Sequence, residues 1–153
     1  VAGRAGREEK SGKALLQTMH TDHPALLALV HQGYPAFAQT ALIERKQMTL
    51  PPYSHYALLR AEASSPYIAE RFLQDLRHTI EAQYVLPEQT HWLGPLPSPL
   101  ERRAGMHRAQ LIIYGQARKP LHQLLATLVE YLEHLPEARK IRWSLDIDPA
   151  DTY

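Results

Sequence analysis

Two arginines three residues apart, Arg4 and Arg7, sit in the Gly-rich opening VAGRAGR. A guanidinium presents fixed donors to phosphate oxygens, and glycines let a backbone approach closely, so this string suits contact with a polyphosphate. A second cationic set follows later. Residues 97–119 hold Arg102, Arg103, Arg108, Arg118 and Lys119 against a single Glu, a local charge of +4 in a chain whose formal net charge is +1. Such a set serves either as a solubilising surface or as a contact for DNA phosphates or an acidic protein tail. Arg118 and Lys119 stand just before Pro120 at the predicted start of a helix, where free N–H groups and the helix dipole already favour an anion. Two other patterns read as ordinary surface. His20 and His23 form H-x-x-H with no third ligand nearby in sequence, which suits a turn before Pro24 better than a metal centre. Asp146 and Asp148 alternate with the apolar residues of a predicted strand and so fall on its solvated face.

The elements that would carry these residues follow from periodicity. Residues 1–18 read as a loop and then a strand over KALLQT. Residues 22–47 read as two short helices, with Pro24 and Pro35 in first turns and Gly33 between them. The second presents Phe37, Ala38, Ala41 and Leu42 on one face. The LPPY break at Leu50–Tyr53 ends this zone, since consecutive prolines neither continue a helix nor pair in a central strand. Beyond it, residues 55–63 predict a strand. Ser65 and Pro66 open a helix with Ile68, Phe72, Leu73, Leu76 and Ile80 on one stripe. Residues 90–96 predict a short strand ended by prolines, residues 97–107 a polar loop, and residues 108–114 a third strand. A helix over 119–135 carries a wide leucine stripe, and Ile141, Trp143, Leu145 and Ile147 alternate in the last strand. The order βαββαβ with two striped helices predicts a ferredoxin-like α+β domain, a four-stranded antiparallel sheet with both helices on one face. Trp143 shares the inward phase with Ile141 and Leu145 and is expected in the core, and RAQLIIY lacks the aromatic-rich pattern of an RNA-reading sheet.

Bulk composition agrees with a soluble domain. The 153 residues are 44% apolar and 22% charged. There is no cysteine, which removes disulfides and thiolate metal sites, and no apolar run approaches the roughly 20 residues of a membrane span. No signal peptide is visible, and a cytoplasmic protein is expected. The chain opens in mid-motif at Val1, so it is expected to be a fragment.

GRAGR, a short polar stretch, Gly12 and a segment ending LLQT resemble motif VI at the end of the second RecA-like lobe of superfamily 2 helicases. The likeness continues through ERKQMTLPPYSHYALLRAE (Glu44–Glu62), LGP (Leu93–Pro95) and IRWSLDIDP (Ile141–Pro149), and over nearly the whole chain it resembles the C-terminal region of the PriA family of replication-restart DNA helicases. That resemblance implies residues 1–52 as the end of the helicase lobe with connecting helices, and 53–153 as an accessory domain. It implies an ATP-dependent 3′–5′ DNA helicase that recognises branched DNA at stalled forks and loads the primosome. Arg4 and Arg7 would face the phosphates of ATP, Arg7 as an arginine finger. Arg102, Arg103, Arg108, Arg118 and Lys119 would touch branched or single-stranded DNA, single-stranded-DNA-binding protein or other primosome proteins, and no membrane. ATP, Mg and structural Zn are implied for the whole protein, held mainly outside this chain. No P-loop and no cysteine occur here, so no complete ATPase site is expected in this chain. Two other readings fit the same sequence: a purely structural domain bracing the helicase lobes, and a small-ligand-binding regulatory domain of the same topology.

Overall fold

A computed structural model describes residues 15–150, and the chain divides into two compact units, Val1–Glu44 and Arg45–Tyr153. In the first unit, helix α1 (Pro24–Gln32) starts where the sequence places it. Pro24 occupies the first turn, where its missing N–H costs nothing, and His23 Nδ1 accepts from the Ala25 N–H at 3.3 Å. This is the work of one histidine of the H-x-x-H pair, and among the described residues no group of metal-ligating side chains assembles. Gly33, at φ 85°, separates α1 from α2 (Tyr34–Gln47), a turn conformation that a side chain would resist. No residue of α2 is buried, so the expected apolar face of Phe37, Ala38, Ala41 and Leu42 covers nothing fully. The strand expected over residues 13–18 is not formed in its described part: Leu15–Thr18 have no regular structure. Among the described residues no neighbouring strand pairs with them, and an isolated strand does not hold itself.

The second unit is built from β1 (His55–Ala63), α3 (Pro66–Gln83), β2 (Thr90–Arg103), β3 (Met106–Gly115), α4 (Arg118–His134), a 3₁₀ turn at Pro136–Lys140 and β4 (Arg142–Ile147). The strands lie in the order β2-β3-β1-β4, all antiparallel, which is the ferredoxin-like split βαββαβ arrangement. Alternation decides the two faces. Ala57, Leu59 and Ala61 of β1 and Ala109, Leu111 and Ile113 of β3 point to one side, where they bury against Phe72, Leu73, Leu76 and Ile80 of α3 and the leucines of α4. Trp143 packs against this core as expected, although only partly buried. Leu145 is also only partly buried, because a cleft of about 480 Å³ lined by Leu145, Ile147, Val129, Leu125 and His122 separates β4 from α4. Ile68 leaves the expected stripe: it is 44% exposed at the start of α3, while Ala69 one residue on takes the buried position.

The largest departure from the sequence reading lies in residues 97–107. They are not a loop. The second strand runs on to Arg103, and a tight turn at Ala104 and Gly105 connects it to a third strand that begins at Met106. Pro95, Pro97 and Pro99 are tolerated because β2 is an edge strand, where a residue without an N–H leaves no central ladder broken. The register slips between Leu93 and Leu96 and again between Pro97 and Arg102. Gly94, at φ 104°, makes the first slip possible, since a Cβ there would meet the Gln110 carbonyl oxygen at 2.9 Å. The buried Ser98 hydroxyl donates to Gln110 Oε1 at 3.2 Å, pinning the second half of β2 to β3.

Candidate functional site

Arg4 and Arg7 lie outside the described residues. The five cations of 97–119 do not form one cluster. Arg102 lies opposite His107 and Arg103 opposite Met106, both at the tip of the β2–β3 hairpin. Arg108 sits on β3 with its side chain only 10% exposed, and its Nε lies 3.1 Å from Glu62 Oε1. Glu62 Oε2 also meets the exposed Arg142 at 3.7 Å, so Arg108 is committed within a three-residue ion network on the sheet face away from the helices. Arg118 and Lys119 open α4 at the far end of β3, a ten-residue strand roughly 30 Å long.

That far end is the better-built site. Ala117 occupies the N-cap of α4 and supplies no side-chain oxygen, and no acidic residue lies in the first turn. The free N–H groups and the dipole therefore lack the anionic complement that helix starts usually carry. Arg118 instead leans on Asp148, guanidinium to carboxylate 3.3 Å, and its Nε reaches His122 Nε2 at 3.5 Å. The other carboxylate oxygen of Asp148 lies 3.7 Å from His55 Nδ1, and its backbone N–H donates to the Tyr56 carbonyl at 2.8 Å. Arg118 and Asp148 remain 63% and 42% exposed, so their pairing contributes about 0–1 kcal/mol and an outside anion can replace it. Asp148 thus positions the cation. Asp146 does the same for Arg60, at 3.6 Å. His55 and His122 carried no signal in the sequence. They become part of the site only because β1, β4 and α4 end together.

The apolar cleft between α4 and β4 begins at His122, the residue that Arg118 contacts, so cation and apolar groove are continuous. On the sheet face away from the helices, three rings stand in a row across neighbouring strands. Tyr56 and Tyr114 have centroids 5.4 Å apart, and Tyr114 and His91 5.2 Å. Burial pushes the Tyr56 phenol above its ordinary value of 10.0. The row ends at a polar cavity of about 270 Å³ lined by Ser54, Gln89, His91, Tyr114 and Gln116 among others. A third cavity, about 500 Å³ between α3 and the end of α4, is lined by Phe72, Leu76, Tyr131, Leu135 and Ile141. At its rim Arg71 pairs with Asp75 at 3.5 Å and donates to the Tyr67 hydroxyl at 3.0 Å, Thr79 donates to the Asp75 carbonyl at 2.8 Å, and Glu137 also lines it.

Fold and site together define an α+β domain of ferredoxin-like topology with a cationic, groove-bearing end. Residues 46–150 match the family described as primosomal protein N C-terminal domain, and the chain belongs to that family. It is 38% identical over 99% of its length to the replication restart protein PriA of Haemophilus influenzae, covering 20% of that protein. It is 28% identical over 97% of its length to the protein of the same name from Bacillus subtilis, covering 18% of it, and 32% identical over 74% to that from Synechocystis, covering 13%. The chain thus spans about a fifth or less of the length of these relatives. Among the described residues no helix is long and apolar enough to cross a membrane.

Proposed function

We propose that this chain is the C-terminal accessory domain of a replication-restart protein, an ATP-dependent 3′–5′ DNA helicase that recognises branched DNA and loads the primosome. In that reading Arg4 and Arg7 belong to motif VI and face the phosphates of ATP, while ATP, Mg and structural Zn are bound mainly by parts of the longer protein. The matching relatives and the motif support it. The domain's own task is to hold an anionic partner at Arg118 and Lys119, with Arg102 and Arg103 as a separate cationic tip on the DNA side.

The observation that carries the choice of partner at Arg118 is the apolar cleft that begins one contact away, at His122. A DNA phosphate has no use for such a cleft. An acidic protein tail that bears an apolar residue fills it while its carboxylates take Arg118 and the N–H groups of α4. We therefore favour the acidic tail of single-stranded-DNA-binding protein over a phosphate at this end. The test is a competition. A labelled acidic tail peptide is titrated against the chain and against Arg118→Glu, and both titrations are repeated with forked DNA. The expected result is a loss of peptide affinity of about tenfold or more, with DNA binding little changed, since a hydrogen bond to a charged group contributes about 1.5–3 kcal/mol. Loss of DNA binding alone assigns Arg118 to phosphate. No change in either leaves the domain as a brace between helicase lobes.

A further inference from the structure

We infer that the polar cavity at the end of the aromatic row is a pocket for a single unstacked DNA base. Three observations carry this. First, the cavity holds about 270 Å³, below the roughly 300–1,000 Å³ of pockets for drug-sized ligands and suited to one flat heterocycle. Second, one wall is aromatic: the His91 and Tyr114 rings lie 5.2 Å apart at a tilt of 35°, and Tyr56 backs Tyr114. A base stacks on such rings whatever its sequence. Third, the remaining wall offers the two kinds of group a base edge needs. Gln89 and Gln116 each bring an amide donor and an acceptor, and both are exposed at the cavity.

Ser54, 2% exposed in the same wall, has its hydroxyl engaged with the Tyr56 phenol. The surroundings suit a polyanion's backbone as well. Exposed Lys46 lies two residues from Met48 in the cavity lining. The cavity shares no lining residue with the cleft beside α4, so the base pocket and the tail site are separate. The pocket rests on the proposed role at replication forks only for the choice of DNA as the nucleic acid.

The test uses the full chain and a single-stranded thymidine oligonucleotide carrying one 2-aminopurine, compared with the same strand abasic at that position. Stacking on His91 and Tyr114 quenches aminopurine emission on binding. The intact strand is expected to bind about tenfold more tightly than the abasic one, within the span measured for one stacked base. His91→Ala and Gln116→Leu, both at exposed positions, should bring the intact strand to the abasic affinity and leave the abasic strand unaffected. Equal binding of intact and abasic strands, variants that weaken both alike, or no binding by the wild-type chain overturns the pocket. The tail-peptide titration with Arg118→Glu reads the other site independently, so the two readings fail separately.

Discussion

At the scale of single residues, burial decides which cations are free to act. Arg108 and Arg118 look alike in the sequence, each beside a strand or helix start in a positively charged stretch. Arg108 falls on a central strand opposite Glu62, and its side chain is only 10% exposed. Arg118 falls at a helix start and is 63% exposed. Removing one member of a nearly buried ion pair leaves the other charge unmatched, at about 3–5 kcal/mol. Arg108→Ala is therefore expected to lower unfolding free energy by about 3 kcal/mol, the low end of that range because Arg142 remains near Glu62. Arg142→Ala, at 84% side-chain exposure, should cost less than about 1 kcal/mol. Denaturant melts of the two variants check this, and equal losses would show that the network is not built around Arg108. Charge counting along the chain could not separate these arginines, because which of them lands on the covered part of a strand depends on pairing between residues 46 positions apart, Glu62 with Arg108.

At the scale of elements, most of the fold was legible because it depends on periodicity. The stripes of α3 and α4 and the alternation in β1 and β4 need only local spacing. The second half of β2 was not legible, because the same prolines that end a strand in the middle of a sheet are permitted at its edge, and edge position is a property of the sheet rather than of the segment. The motif LGP was visible as a resemblance, but its purpose, a bulge at a left-handed glycine, emerges only with the β2–β3 register. Depth was also hidden: Leu128 and Leu145 have equivalent places in their patterns, yet Leu128 is fully buried and Leu145 borders the cleft beside α4. Leu128→Ala is expected to cost about 2–5 kcal/mol. Leu145→Ala should cost distinctly less, since part of its surface is already in water. Thermal or urea unfolding of both compares them directly. If the two losses match, the cleft is closed in solution.

At the scale of the whole molecule, two kinds of evidence stand apart. The family assignment covers the described domain, whereas Arg4 and Arg7, proposed to face ATP, belong to the opening segment outside it. In the full-length protein, Arg7→Ala is expected to cut ATP turnover by about 10³–10⁵-fold, the range for arginine fingers elsewhere, with little change in the melting temperature. Near-normal turnover would remove Arg7 from the site. The chain by itself, lacking a P-loop, should hydrolyse no ATP above background.

The strand order has a consequence for how this domain comes into being. Its first strand is central and pairs with its third and its last, so Ala57 waits for Ile147, ninety residues later, to complete the sheet. Contacts that far apart make folding slow relative to a helical bundle of the same size, because the entropy of closing a long loop is spent before the pairing returns it. During synthesis, at about 5–20 residues per second, the edge of β1 stays bare for several seconds after it leaves the ribosome. A nascent chain in that interval exposes an apolar strand, ALL at Ala57–Leu59, with no partner on that side. The domain is therefore most open to chaperones, and to wrong pairing with another copy, just before its last strand arrives.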